Sequence, residues 1–268
     1  PAPKARAQKR RMSRPAPAAT RRRVAAGLAA LAGLAALGWG AGTVAREARV
    51  GARYEDLSKE AGQAASPRDS AGEAAPRRDW AALGEQFPAV GAWATVGGTP
   101  IDLPVASTST EEDEGWFLRH DLWGEWSLSG TPFMDRRVSN ADDRNVVAYG
   151  HHMTSTDTMF STLQRAYEQD VFDGLGALLW ETPARETEMS PLCAVSVDET
   201  WPDIQRFDWQ GTDDAAFREW LGGILAASTA AAPDARNLVA AATRCVALVT
   251  CSSDWAYQNW RTVCVWCA

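Results

Sequence analysis

The chain has 268 residues, of which 46% are hydrophobic and 23% are charged, and its formal net charge is −7. This composition excludes a wholly disordered chain and a protein with many membrane spans, and the length suits one large domain or two small ones. Residues 1–23 carry nine basic residues and no acidic one, which leaves 18 basic and 34 acidic residues, a net charge of −16, on residues 24–268. An acidic body disfavours nucleic acid as a partner, so we expect none.

An uncharged segment, Val24 to Ala45, follows the basic tail. As a helix its 22 residues would span about 33 Å, enough to cross a hydrocarbon core of about 30 Å. Three arginines, Arg21 to Arg23, precede it, so the positive-inside rule places residues 1–23 in the cytoplasm and the remainder outside the cell. A cleaved signal peptide is the alternative, but the apolar stretch is long and Thr43-Val44-Ala45 is a poor cleavage site. The sequence therefore predicts an uncleaved, single-pass anchor in the cell membrane.

Residues 46–80 are polar and rich in alanine, and they include Pro67 and Pro76. This composition predicts an extracellular stalk that holds the following domain away from the membrane. A short helix is expected from Tyr54 to Ala64.

Residues 81–268 are predicted to form the folded body. Short, valine-rich runs bounded by turn residues are typical of strands of five or six residues. Six strands are predicted in this way: Ala92 to Val96, Ile101 to Val105, Asn145 to Tyr149, Leu192 to Val197, Val246 to Thr250 and Thr262 to Trp266.

Two helices are predicted between these strands. From Asp157 to Glu168, apolar residues recur on one face; from Asp213 to Leu225, they recur at helical spacing over the whole stretch. Thr212 or Asp213 can cap the second helix. Unevenly spaced strands with a few helices favour a mainly β fold, a barrel or sandwich with appended helices, over a doubly wound sheet.

Five cysteines, Cys193, Cys245, Cys251, Cys264 and Cys267, are too few for a disulfide scaffold, and their odd number leaves at least one thiol unpaired within the chain. Cys193 and Cys245 lie in apolar runs and are expected in the core. Cys264 and Cys267 form a C-x-x-C pattern, but on a strand their side chains point to opposite faces. We therefore predict no metal site and no cofactor.

Residues able to perform chemistry lie where predicted strands begin or end. His151 follows Gly150 after the strand NVVAY, Cys251 follows the strand VALVT, and Arg261 begins the next strand. If these strand ends adjoin, a thiolate could attack a carbonyl, an imidazole could protonate the leaving amine and a guanidinium could stabilise the oxyanion. Spacing alone leaves open that Cys251 is simply buried and that a histidine is structural.

Four segments carry a resemblance to a known family. They are FPAVGAWATVGGTPIDLPV (87–105), SGTPFMDRR (129–137), VVAYGHHMTSTDTMFSTL (146–163) and LVTCSSDWAYQNWR (248–261). With them, the body from Ala81 to Ala268 resembles the class B sortases, including the order of His before Cys before Arg. The resemblance implies a sortase-like, eight-stranded β-barrel with appended helices.

The resemblance also implies roles for single residues. His151 would be the acid/base, Cys251 the nucleophile and Arg261 the partner of the carbonyl or oxyanion. His152 is the second histidine of the turn and lies outside this triad, and His120, which no motif supports, is expected to be structural or on the surface. The family usually has serine where this chain has Val249; Val249 and Thr250 are therefore expected to contact the substrate, with an altered sorting motif.

The activity implied is transpeptidation at the cell surface. A secreted protein with a C-terminal sorting signal, similar to Asn-Pro-x-Thr, would be cleaved after its threonine, held as a thioester and passed to an amine of a peptidoglycan precursor or a pilin. Two alternatives remain: a membrane-anchored cysteine peptidase acting on cell-wall peptides, whose common folds place Cys before His, and a non-enzymatic wall-binding module that uses the 13 tryptophans.

Overall fold

The computed structural model describes residues 42–62, 73–108, 115–154, 156–198, 201, 203–209, 211–251 and 260–268. Residues 46–268 form one compact unit. Of residues 1–45, only 42–45 are described, as the beginning of a helix. No helix in the described ranges is long and apolar enough to cross a bilayer. The basic tail and residues 24–41 of the predicted anchor lie outside the described residues.

Ten strands and five α-helices occur in the described ranges. The strands are β1 (Glu73–Ala74), β2 (Val90–Val96), β3 (Asp102–Ala106), β4 (Phe133–Met134), β5 (Asn145–Tyr149), β6 (Leu178–Glu181), β7 (Glu186–Asp198), β8 (Ala230–Ala231), β9 (Cys245–Cys251) and β10 (Trp260–Cys267). The helices are α1 (42–61), α2 (Trp80–Gln86), α3 (Gln169–Phe172), α4 (Asp214–Ala227) and α5 (Ala235–Ala241). Five of the six predicted strands lie inside one of these strands, and the sixth, Ile101 to Val105, overlaps β3 with an offset of one residue.

Eight of the described strands close into a barrel. Their order is β7-β10-β9-β5-β4-β3-β2-β6, and β6 pairs back with β7 to complete the ring. The short strands β1 and β8 pair with β7 outside it. Most neighbours are antiparallel, but β5 and β9 run parallel, as do β3 and β4. The predicted eight-stranded barrel is therefore confirmed, and the parallel pair β5–β9 places two strand ends at the same rim.

Alternating side chains of the barrel strands supply two separate apolar cores. Ala148, Leu248 and Cys264 belong to the core inside the barrel, whereas Val147, Val249 and Cys267 pack outside it beneath α4 and α5. Successive residues of a strand point to opposite faces. The predicted separation of the two C-x-x-C side chains is thus confirmed. The five cysteines, all of them described, are free thiols.

The helix predicted over Asp213 to Leu225 is α4. Asp213 caps it, since its side chain accepts a hydrogen bond from the Ala216 N–H at 2.7 Å. The buried side chains of α4, Phe217, Leu221 and Ile224, pack on the outer core. Here the helical spacing of apolar residues and the cap agree with the tertiary packing.

The helix predicted from Asp157 to Glu168 is wrong. This stretch contains turns and a short 3-10 helix, Ser161–Leu163, and α3 begins only at Gln169. The Ser161 hydroxyl accepts from the Met153 N–H at 2.8 Å, and the Phe160 N–H donates to the His151 carbonyl at 3.1 Å. The Phe160 N–H therefore does not donate to residue 156, and the N–H groups of Ser161, Leu163 and Gln164 donate to carbonyls three residues back, so no α-helical ladder forms here.

Helix α1 packs on the barrel, although residues 46–80 were predicted as a stalk. Val50 and Tyr54 are buried in the barrel core, and Leu57 packs with Phe87 in a further cluster. The Tyr54 hydroxyl accepts from the Leu122 N–H at 3.1 Å. Residues 46–61 therefore belong to the folded body, because an apolar helix face is stable only when it is covered. Residues 63–72 of the predicted stalk lie outside the described residues.

Candidate active site

The pairing of three strands brings the predicted site residues together. In the parallel pair β5–β9, Tyr149 lies opposite Val249, and the Gly150 N–H donates to the Val249 carbonyl at 3.0 Å. His151 and Cys251 each lie two residues beyond that pair, so they emerge at the same rim. The antiparallel pair β9–β10 places Arg261 directly opposite Cys251. Strand pairing thus brings together His151, which lies 100 residues before Cys251 in the sequence, and Arg261, which lies 10 residues after it.

A surface cleft of about 490 Å³ opens at this rim. All five predicted site residues line it: His151, Val249, Thr250, Cys251 and Arg261. Its remaining lining residues are Gly115, Leu118, Phe133, Asp135, Arg137, Tyr149 and Gly150. No group of three or more His, Cys, Asp or Glu side chains in the described ranges could hold a metal ion.

Cys251 differs from the other four thiols in exposure. It is half-buried at the cleft, whereas Cys193, Cys245, Cys264 and Cys267 are buried. Burial raises the pKa of the Cys193 thiol to about 11 and that of Cys267 to about 12, and it raises the pKa of Cys245 and Cys264 as well. A thiol that stays protonated is a poor nucleophile, so only Cys251 combines access with a site.

His151 is oriented by a backbone group that no sequence motif marks. Its ring Nε2 lies 2.9 Å from the carbonyl oxygen of Leu118. A carbonyl oxygen only accepts, so Nε2 carries a hydrogen and donates it. Nδ1 is then the ring nitrogen that can take up and release a proton during a reaction.

The turn that carries His151 depends on a glycine. A Cβ on Gly150 would lie 2.5 Å from Cδ2 of the Phe160 ring, and Phe160 has no exposed surface. Glycine therefore lets the buried ring pack directly against the turn. The Phe160 N–H also donates to the His151 carbonyl, which holds the two segments together.

The other two histidines lie apart from the cleft lining. His152 forms a β-bridge with Met159, and burial lowers the pKa of its imidazole. His120 stacks on Trp116 with ring centroids 3.7 Å apart and donates from Nδ1 to the Trp116 carbonyl at 3.0 Å. Neither histidine is among the residues that line the cleft with Cys251.

Three further cleft residues form a charged network that the sequence analysis did not identify. Arg137 donates to Asp135 from Nε at 2.8 Å and from a terminal nitrogen at 2.6 Å, and the Tyr149 hydroxyl donates to the same carboxylate at 2.9 Å. Burial acts to raise the pKa of Asp135, but the hydrogen bonds from Arg137 and Tyr149 outweigh it and lower that pKa. Asp135 thus stays ionised in the cleft wall. Both charged residues, Asp135 and Arg137, lie in the segment SGTPFMDRR, so the family resemblance of that segment could have marked them as candidate site residues.

Val249 and Thr250 have different environments although both line the cleft. Val249 belongs to the outer core, whereas the Thr250 hydroxyl is buried and has no hydrogen-bond partner among the described residues. Arg261 is half-buried, and one terminal nitrogen donates to the Trp260 carbonyl at 3.2 Å. The loop between Cys251 and Trp260 lies outside the described residues.

Comparison with solved structures identifies the architecture. A Staphylococcus aureus sortase B–substrate complex matches with a TM-score of 0.63 and 19% identity over 83% of this chain and 96% of that one. Sortase B from Bacillus anthracis matches with a TM-score of 0.62 and 19% identity over the same shares. The chain has the fold of the class B sortases. Clostridium perfringens sortase B matches with a TM-score of 0.58 and 24% identity, over 70% of this chain and 97% of that one.

Sequence comparison adds nothing to this likeness. No protein-family model matches the chain, and no curated protein matches it. The resemblance to class B sortases inferred from four sequence segments is therefore confirmed through the shared sortase B fold, at low sequence identity.

Proposed function

We propose that the chain is a membrane-anchored cysteine transpeptidase that cleaves a C-terminal sorting signal after threonine and transfers the protein to an amine. The observation that carries this proposal is the meeting of Cys251, His151 and Arg261 at one rim of a barrel with the sortase B fold. Structures with this fold include a sortase B–substrate complex. The signal is taken to be similar to Asn-Pro-x-Thr, altered where Val249 lines the cleft.

In the first half of the reaction, the Cys251 thiolate attacks the carbonyl carbon of the signal's threonine. A C–S bond forms, and the carbonyl electron pair moves onto the oxygen, where the Arg261 guanidinium donates hydrogen bonds to it. The oxyanion then collapses and the C–N bond breaks. His151, protonated at Nδ1, gives that proton to the leaving amine, so the secreted protein remains as a thioester.

In the second half, an acceptor amine attacks the thioester carbonyl. The new C–N bond forms, the C–S bond breaks and the Cys251 thiolate is restored. The proton lost by the amine returns to His151, which prepares the site for the next cycle. The acceptor is proposed to be an amine of a peptidoglycan precursor or of a pilin, held with the enzyme at the outer face of the cell membrane.

The membrane topology is part of the proposal and rests on the sequence. Nine basic residues precede an uncharged 22-residue segment, so residues 1–23 are placed in the cytoplasm and the barrel outside. Protease added to cells stripped of their wall should digest the barrel while a cytoplasmic marker survives. Survival of both would reverse the orientation.

The activity is tested with the full chain, a sorting-signal peptide and a small amine. Cys251→Ala should abolish both cleavage and transfer, and His151→Ala should lower turnover at least as far as removing Arg261 does. His152→Ala serves as the matched control and should keep most of the turnover, because its ring lies apart from the cleft lining.

The outcomes separate the proposed enzyme from its alternatives. An active Cys251→Ala variant would overturn the mechanism, and an inactive His152→Ala beside an active His151→Ala would exchange the two histidines. Cleavage with water as the only acceptor would favour a cysteine peptidase. Wall binding that Cys251→Ala leaves unchanged, with no turnover in the unaltered chain, would favour a binding module.

A further inference from the structure

One segment of the body presents large apolar side chains to solvent. Among the described residues from 46 to 268, four such side chains are exposed: Trp116 (39%), Leu118 (39%), Trp126 (45%) and Leu128 (43%). All four fall between residues 116 and 128, and we call them the Trp–Leu patch. An exposed apolar cluster of this kind marks an interaction surface, because water disfavours it.

The patch residues lie on and beside a small hairpin. His120 forms a β-bridge with Trp126, and the Ser127 N–H donates to the Arg119 carbonyl at 2.8 Å. On the near side, Trp116 stacks on the His120 ring. Trp116 thus packs on a ring of the hairpin, and the backbone bridge places residue 126 beside the residue that carries that ring.

The structure holds this hairpin in place from beneath. The carboxylate of Glu47, itself buried, accepts hydrogen bonds from the Leu128 and Ser129 N–H groups at 3.0 Å each and from the Ser127 hydroxyl at 3.1 Å. Gly130 closes the hairpin with φ of +59°, where a Cβ would lie 2.2 Å from the Phe117 carbonyl oxygen. The exposure of the patch is therefore imposed by a bonded scaffold rather than by a loose loop.

Glu47 follows the predicted membrane span closely in the sequence. Glu47 comes two residues after Ala45, the last residue of the apolar segment, and on a helix that is a rise of about 3 Å. Arg46 and Arg49 are exposed on α1, and Arg119 is exposed on the hairpin. Basic side chains beside an apolar surface suit anionic lipid headgroups, and tryptophan is enriched at the membrane–water boundary.

We propose that the Trp–Leu patch docks the barrel onto the outer surface of the lipid bilayer, with its tryptophans and leucines in the interfacial layer. The proposal rests on the predicted span at residues 24–45, and it means that α1 holds the body against the membrane. Leu118 belongs to the patch, lines the cleft and supplies the carbonyl that orients His151. The mouth of the cleft therefore lies at the bilayer surface, where a membrane-held substrate leaves the lipid.

The test uses the full chain in nanodiscs of phosphatidylglycerol and phosphatidylcholine. Tryptophan emission is compared with and without lipid brominated near the carbonyl end of its acyl chain, since such lipid quenches tryptophan that lies in the bilayer near its surface and leaves tryptophan of the barrel interior unquenched. The test variant is Trp116→Phe/Trp126→Phe. The matched control is Trp201→Phe/Trp220→Phe, whose tryptophans pack near α4 on the outer core.

The proposal predicts a selective loss of quenching. Trp39 lies in the predicted span, so the test variant should lose about two thirds of the quenching, because two of three tryptophans at or in the lipid are gone. The control variant should lose none. Equal quenching in the test variant and the unaltered chain would overturn the proposal, whether the patch is then open to water or covered by a second copy of the chain. Absence of quenching in the unaltered chain would overturn it as well.

A charged variant provides a second measurement. Trp116→Glu/Trp126→Glu should still unfold in one cooperative transition, because the hydrogen bonds to Glu47 hold the hairpin, and should lose quenching to the same extent. Quenching requires no turnover, so docking and the proposed transpeptidase can fail separately. Selective quenching in a chain without turnover would leave docking standing, and full turnover without selective quenching would reject docking alone.

Discussion

Gly150 offers a direct test of how the fold positions the histidine of the site. A Cβ at this position would lie 2.5, 2.6 and 3.0 Å from three atoms of the Phe160 ring. Phe160 has no exposed surface and cannot retreat into solvent. Overpacking of this kind costs about 1–3 kcal/mol of the free energy of unfolding. For a domain of this size, each kcal/mol lowers the Tm by about 2–4 °C.

The same clash should also lower activity. Because Phe160 is enclosed, the turn bearing His151 must move, and a displacement of about 1 Å at a catalytic group costs about 100-fold in rate. We therefore expect Gly150→Ala to lower kcat/KM about 100-fold on a sorting-signal peptide, measured beside thermal unfolding. Gly223→Ala in α4 is the matched control. A Cβ there meets nothing within 4 Å, so this variant should keep activity and gain up to about 1 kcal/mol of stability.

A second substitution identifies the clash as the cause. Phe160→Leu removes most of the ring atoms that a Cβ on residue 150 would meet. In that background, Gly150→Ala should cost less, by about 0.5–3 kcal/mol of coupling between contacting residues. The reasoning is refuted if Gly150→Ala keeps its Tm and its turnover, or if its cost is the same in both backgrounds.

Three further predictions concern the site and its support. Arg261→Ala and Arg261→Lys should each lower turnover by about 10²–10³-fold, because lysine lacks the planar fork of donors; full activity of the lysine variant would show that charge alone suffices. A methanethiosulfonate reagent should modify one thiol of the folded chain, that of Cys251, and stop turnover. Turnover that persists after Cys251 has been modified would contradict its role. Glu47→Gln should lower the free energy of unfolding at neutral pH by about 1.5–3 kcal/mol. Glu60 is exposed on the same helix, so the control Glu60→Gln should leave the free energy of unfolding unchanged. Burial acts to raise the pKa of Glu47, but the hydrogen bonds from Ser129, Leu128 and Ser127 outweigh it and lower that pKa. The ionised carboxylate therefore stabilises the folded chain fully above the ordinary pKa of 4.5, and this stabilisation is lost as the pH falls through the lower pKa of the folded state. Denaturation curves of Glu47→Gln measured against pH should lack this loss.

Local patterns predicted the elements whose residues repeat at a regular period. The strands β5, β9 and β10 are runs of valine bounded by turns, and α4 combines an apolar face with the Asp213 cap. Each of these signals lies within one stretch of chain, so neighbouring residues suffice to produce it. Where a backbone group bonds to another segment instead, as the Phe160 N–H does, the local pattern predicted a helix that does not form.

The amino-acid sequence by itself determined the candidate site residues: a histidine after a glycine turn, a cysteine at a strand end and an arginine opening the next strand. Only the tertiary structure decided that they meet, through the parallel pairing of β5 with β9 and the opposition of Arg261 to Cys251. It also supplied the Leu118 carbonyl beside His151 and the packing of α1 on the barrel. The physical reason is that strand register and backbone contacts between distant segments depend on burial of a shared core, and a single stretch of sequence does not encode the partner against which it is buried.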